Sequence, residues 1–178
     1  SERFIVTKTS NDLIVIDVSR AKYRILYERF LKEISSDNNF SQKLMFPISL
    51  DYDKSEIRIL KEVRDQLIHL GFSFSNFDDN NIELDGIHPS FSHDSINLLF
   101  EELIENNILD YKESSTSLND YLSKLMAKSK SINKKTNMND LEHEELINGL
   151  FACRESSFCP DLKKTYHTFD LNHLKKLF

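Results

Sequence analysis

Residues 13–34 change their hydrophobic period in mid-segment. Leu13, Ile14, Val15 and Ile16 form a short, largely β-branched run that ends on Asp17, and after it Tyr23, Leu26, Tyr27, Phe30, Leu31 and Ile34 recur at steps of three and four. A run of the first kind makes a strand, and the second spacing puts six apolar side chains on one face of a helix over residues 20–34. Lys22, Arg29, Lys32 and Glu33 fall on the opposite face, towards water. Such a helix has to cover a sheet, which commits the chain to an α+β architecture. Phe4, Ile5, Val6 and Thr7 supply an earlier strand, and the polar residues 8–12 read as the loop of a hairpin.

The same reading continues downstream. Residues 44–50 form a strand, and Asp53 followed three residues later by Glu56 is a capping box for a helix with Leu60, Val63, Leu67 and Leu70 on one face. Gly71 fits a left-handed stop, because glycine takes positive φ without a Cβ penalty. Phe72 and Phe74 alternate with serines, residues 78–81 form a turn, and Ile82 and Leu84 alternate again, which predicts a second hairpin. Ile96, Leu99, Phe100 and Leu103 mark a helix, giving the order strand, helix, strand, strand, helix. Residues 112–117 turn polar and read as an exit. Leu118, Tyr121, Leu122, Leu125 and Met126 mark another helix, residues 133–140 a loop, and Leu141, Leu146, Ile147, Leu150 and Phe151 a helix beginning near Asn139. A strand at 165–169 and a last helix from Asp170 close the chain.

The net charge of −6 is unevenly spread. Residues 51–113 hold 15 acidic against 5 basic side chains, a net of −10, which leaves +4 on the remainder. The middle segment would repel a phosphate backbone, so any weak DNA contact is expected from the basic remainder, at Lys124, Lys128, Lys130, Lys134 and Lys135, with Lys163 and Lys164 further on. A solvated helix face accounts for the same lysines. The two cysteines, Cys153 and Cys159, are neither a disulfide framework nor a CxxC pair, and a reducing cytoplasm is the expected setting. The six histidines are dispersed, with no HExxH spacing, and read as surface or cap residues. Three glycines leave no room for a phosphate loop, and no run of about 18 apolar residues suggests a membrane span. The first residue is Ser1, which reads as a fragment of a longer protein.

One family fits this order of elements. Ile16-Asp17-Val18-Ser19-Arg20-Ala21-Lys22-Tyr23-Arg24-Ile25-Leu26-Tyr27-Glu28 resembles the "I-D-Q-H-A-A-x-E-R-I-L-Y-E" helix of the C-terminal dimerisation domain of the mismatch-repair protein MutL, and Gln42-Lys43-Leu44-Met45-Phe46-Pro47 resembles its "Q-x-L-x-x-P" motif. Leu70-Gly71-Phe72 with Phe77, Asn148-Gly149-Leu150-Phe151-Ala152-Cys153 and the ending Leu174-Lys175-Lys176-Leu177-Phe178 extend the likeness over nearly the whole chain. The resemblance implies two lobes. Residues 1–50 and 114–178 would form a discontinuous dimerisation lobe with a small sheet and helices, and residues 51–113 an inserted acidic regulatory lobe.

Nuclease-active members build a zinc or manganese site from "D-Q-H-A-x-x-E-x-x-x-x-E", an "A-C-R" element and a late "C-P-H-G-R-P" element, and the metal activates water. In this chain the histidine of the first element falls on Ser19 and its first glutamate on Tyr23, while Ala-Cys-Arg falls on Ala127-Lys128-Ser129. A literal Ala152-Cys153-Arg154 lies out of register. The late element reads Cys159-Pro160-Asp161-Leu162-Lys163-Lys164. Asp17, Glu28, Cys159 and Asp161 are therefore vestigial positions of a metal site, with no metal and no catalytic residue expected, and Ser19 is the expected N-cap of the helix. The clamp motif offers Gln42 for a hydrogen bond, Leu44 and Phe46 for an apolar groove and Pro47 to hold the peptide extended. Packing of the same residues at a junction between lobes is the plainer alternative.

The resemblance implies a homodimerisation and partner-docking domain of DNA mismatch repair, cytoplasmic and nucleoid-associated during repair, that joins two N-terminal ATPase arms. It needs no cofactor in this fragment. Its partners would be a second copy, the replicative sliding clamp and other mismatch-repair proteins, with no membrane. The alternatives are a divergent metal-dependent nicking endonuclease rebuilt from Asp17, Glu28, Cys159 and Asp161, and a scaffold subunit of a heterodimer.

Overall fold

The computed structural model describes residues 3–36, 41–105, 117–131, 138–171 and 176. Along them run β1 (Phe4–Lys8), β2 (Asp12–Asp17), α1 (Val18–Ile34), β3 (Gln42–Asp51), α2 (Lys54–His69), β4 (Ser73–Phe77), β5 (Asn81–Ile87), α3 (His93–Glu105), α4 (Leu118–Ser131), α5 (Asp140–Ala152) and β6 (Tyr166–Asp170). The strands form two antiparallel three-stranded sheets, ordered β1-β2-β6 and β3-β5-β4. The α+β class expected from the sequence is what the chain adopts.

The chain divides into a discontinuous unit, residues 1–29 with 127–178, and a continuous unit, residues 30–126. The divide passes through α1 and α4 rather than through loops near residues 50 and 114, so β3 belongs to the continuous unit. Helix periodicity carries no mark of such a divide, because a helix can serve two cores along its length.

In the discontinuous unit the first sheet packs one face against a core among the described residues. Ile5, Ile14 and Ile16 point inward and form a core with Val18 and Ala21 of α1 and Leu146 and Leu150 of α5, with Ile25, Ile147 and Tyr166 packed against it. Gly149 lets α5 approach α1, since a Cβ there would sit 3.1 Å from Ile25 Cδ1. The register pairs Val6 with Val15, Lys8 with Leu13 and Leu13 with Phe169, so these side chains share the outward face. Phe4, Val6 and Phe169 are about half exposed there.

In the continuous unit Ile48 and Leu50 of β3 and Ile82 and Leu84 of β5 are buried, as are Ile57, Leu60, Val63 and Leu67 of α2 and Ile96, Leu99, Phe100 and Leu103 of α3. The Asp53–Glu56 capping box is formed: Asp53 accepts from the Ser55 and Glu56 amides, and Glu56 accepts from the Asp53 amide. Gly71 takes φ 87° directly after α2, as its position requires. A second box, Asn139 with Glu142, starts α5.

Several local expectations need correction. α1 starts at Val18, not Arg20, and its N-cap is Asp17, whose Oδ1 accepts the Arg20 amide at 3.1 Å; Ser19 lies inside the first turn. Glu33 does not face water. Its Oε2 is 3.2 Å from Nε2 of His88, which is buried rather than superficial. The His88 Nδ1 accepts the Ser90 amide at 3.1 Å, which leaves Nε2 as the protonated nitrogen. β3 begins two residues early, at Gln42. β6 runs through Asp170 and Leu171 after it is helical; most of the expected last helix, of the loop at 133–140 and of the exit at 112–117 lies outside the described residues.

Candidate partner-docking site and the metal-motif positions

The clamp-like hexapeptide opens β3, an edge strand of its sheet. Gln42 pairs with Ile87 and Lys43 with Gly86, and pairing resumes only at Ile48 with Leu84. Leu44, Met45, Phe46 and Pro47 thus stand opposite Asp85 alone, four residues against one. Proline has no N–H for a ladder, which confines it to edges and bulges. Close approach of the strand start explains Gly86, where a Cβ would collide with Ser41 Oγ. Met45 is 89% and Phe46 77% exposed; Gln42 and Pro47 are exposed and Leu44 is half-buried. Phe46 therefore does not pack a core, and the motif stands out as an extended, solvent-facing segment.

The positions that the resemblance aligns with a metal motif are held differently. Glu28 Oε2 accepts the Arg154 amide at 2.8 Å and its Oε1 the Glu155 amide at 3.1 Å, so this carboxylate ties α1 to the turn after α5. Arg24 Nη1 lies 3.5 Å from Glu28 Oε1, and Arg24 Nε donates to the Phe158 carbonyl at 2.6 Å. Tyr23 donates its hydroxyl to Asp161 Oδ1 at 3.3 Å. Asp17 caps α1 and has the Nε atoms of Arg20 and Arg3 at 3.6 and 3.9 Å. Cys159 is fully buried, and its amide donates to the Lys163 carbonyl. The Cys153 thiol donates to the Gly149 carbonyl at 3.3 Å; burial and then the Glu28 charge push its pKa up to about 11, with Arg24 opposing. Among the described residues no three of His, Cys, Asp and Glu converge as a metal site.

The basic cluster is only partly a surface. Lys124 is bound to Asp120 at 2.8 Å, Lys130 is half-buried with its pKa lowered by desolvation, and Lys128 is exposed. Lys134 and Lys135 lie outside the described residues. No helix among the described residues is long and apolar enough to cross a membrane. Sequence reasoning missed the bonds made by Arg24 and the outward face of Phe4, Val6 and Phe169. The alternation of Phe4 and Val6 with Ile5 and Thr7 was the available signal for that face.

A family model described as "MutL C terminal dimerisation domain" matches residues 1–138. Among characterised proteins the chain is similar to the DNA mismatch repair protein MutL of Christiangramia forsetii, 34% identical over 99% of this chain and 29% of that protein. It is similar also to the proteins of the same name from Flavobacterium johnsoniae, 31% over 99% of the chain and 28% of the protein, and Bacteroides fragilis, 26% over 99% and 28%. The chain spans less than a third of the length of these relatives. A match that runs from β1 through α1, the whole second sheet, α2, α3 and α4 leaves one assignment: the chain belongs to the family of MutL C-terminal dimerisation domains.

Proposed function

We propose that the chain is the homodimerisation and partner-docking domain of a MutL-like mismatch-repair protein, joining two N-terminal ATPase arms and carrying no nuclease chemistry of its own. The observation that carries the reading is the outward face of the first sheet. A three-stranded sheet with Phe4, Val6, Leu13, Val15 and Phe169 on its uncovered side holds an apolar patch that a second copy would bury about a two-fold axis. Tethering two arms through such a dimer raises their effective concentration, so that their closure becomes intramolecular.

The exposed bulge of β3 supports docking of the sliding clamp, with Leu44 and Phe46 as groove-filling anchors and Gln42 as the polar contact. The oxygens of Asp17, Glu28 and Asp161 are engaged in bonds within the fold, which supports a scaffold rather than a divergent endonuclease. Light scattering across a dilution series, with metal content from the same sample, tests the scaffold. A metal-free mass of twice 20.9 kDa is expected; a persistent monomer that pairs only with a related chain would favour the heterodimer subunit, and stoichiometric zinc or manganese the endonuclease. The double change Gln42→Ala, Leu44→Ala should abolish binding to the cognate clamp while leaving the mass unchanged, and intact binding would remove the clamp from the reading.

A further inference from the structure

The exposed segment of β3 is held unequally at its two ends. After Pro47 the ladder with β5 runs unbroken from Ile48–Leu84 to Asp51–Asn81, whereas before Leu44 it consists of Gln42–Ile87 and Lys43–Gly86 alone. Glycine brings no side chain to its pair, so the stand of Gln42 depends on where Ile87 is held.

Ile87 is the last residue of β5, and the residue after it is fixed from several sides. The His88 carbonyl accepts the Phe91 amide at 2.9 Å, which closes a turn with Pro89 at its second position, where the fixed φ of proline fits. The His88 Nδ1 accepts the Ser90 amide at 3.1 Å. Its Nε2 lies 3.2 Å from Glu33 Oε2 in the last turn of α1, a turn that belongs to the same continuous unit. The Phe30 and Phe91 rings meet the imidazole edge-on, with centroids at 5.4 and 6.1 Å. Side-chain exposure is 4% for His88 and 14% for Glu33.

A carboxylate and an imidazole are costly to desolvate among phenylalanines. Replacing a buried polar pair by well-packed apolar side chains of similar volume is often neutral or stabilising, so stability alone does not account for this one. What the polar pair adds is direction, because a hydrogen bond fixes distance and angle while apolar burial is non-directional. We infer, resting on the reading of β3 as the clamp-docking strand, that Glu33 and His88 are positioning residues for that strand: by fixing the chain just past Ile87 they set where Gln42 stands before the clamp arrives. Both side chains are buried and lie outside the six-residue motif, so they act through the Gln42–Ile87 pair and not by contact with the partner.

The test is the double change Glu33→Met, His88→Leu in the whole chain, which puts apolar side chains of similar volume in place of the pair. Its thermal midpoint should equal or exceed that of wild type. Calorimetric titration with the cognate sliding clamp should nevertheless show affinity weakened about 5- to 30-fold, as for one backbone residue that has to be ordered at each encounter. Hydrogen exchange read by mass spectrometry should quicken over Gln42 to Leu44 and stay unchanged over Ile48 to Asp51. Glu33→Gln keeps an oxygen opposite Nε2 and should restore both affinity and exchange to wild type. Lys61→Ala, on the exposed side of α2, should change neither. Wild-type affinity and exchange in the double variant, a lowered midpoint in it, or a Glu33→Gln variant as weak as the double one would each overturn the inference. A wild-type chain that does not bind the clamp refutes the docking reading instead, and hydrogen exchange then decides by itself whether the pair positions Gln42.

Discussion

Val6→Glu is the sharpest perturbation of the dimer. Val6 lies on the outward face of β1, opposite Val15, and is 58% exposed. Fully burying a side chain of this kind contributes about 1.5–3 kcal/mol, so covering the exposed half gives about 1 kcal/mol per copy. A two-fold interface contains the residue twice, which makes about 2 kcal/mol per dimer. A carboxylate in its place loses that gain and also has to be desolvated in each copy, at about 1–3 kcal/mol by mutational measures of buried polar groups. The total is about 4 kcal/mol or more, a rise of about a thousandfold in the dimer dissociation constant. Sedimentation velocity over a dilution series from the micromolar range reads it directly. Because the side chain points away from the core, circular dichroism should show an unchanged fold. A dissociation constant within about threefold of wild type, against the expected thousandfold, would refute the use of this face.

Three further outcomes follow from the loop after α5. Glu28→Ala removes the acceptor for the Arg154 and Glu155 amides and should cost about 2 kcal/mol in thermal or urea denaturation, with Glu28→Gln recovering part of it. Cys153, pushed up to about 11, should react with an alkylating reagent about a hundredfold more slowly than an exposed cysteine at pH 8. Since burial and the Glu28 charge both disfavour the thiolate, its rate should climb with pH up to about 11, and a plateau near pH 8.5, the ordinary thiol value, would contradict this environment. Leu162→Gly relieves a left-handed backbone at the cost of a more flexible unfolded chain, for a net gain of about 0.5 kcal/mol read as a higher melting midpoint.

The elements were legible where a local rule decides. Asp53 with Glu56 writes a capping box within four residues, Gly71 has the one side chain that φ 87° favours, and the spacing of Leu60, Val63 and Leu67 needs only a helix to meet a core. What stayed hidden depends on residues far apart in the chain. Glu33 looks like a solvent-side residue until β5 brings His88 to it, and Glu28 finds its amides 126 positions away. Ser19 fits the usual N-cap chemistry, yet Asp17 wins because it lies at the end of β2 and its carboxylate reaches the Arg20 amide. Of the clamp-like segment, the residue types were readable and the four-to-one mismatch was not, because register is set by the partner strand.

That mismatch gives the domain a place where sequence can drift. None of the residues 44–47 has a ladder partner, so a molecule that grips Leu44 or Phe46 opens no strand pairing, and the Lys43–Gly86 and Ile48–Leu84 pairs on either side stay closed. The segment is anchored at both ends, and its ordering is largely complete before any encounter, unlike that of a free tail. Its side chains can be exchanged while Ile48 and Leu50 keep their side of the sheet. Under the proposed docking, partner choice would be written on slack chain, where rewriting it leaves the core undisturbed.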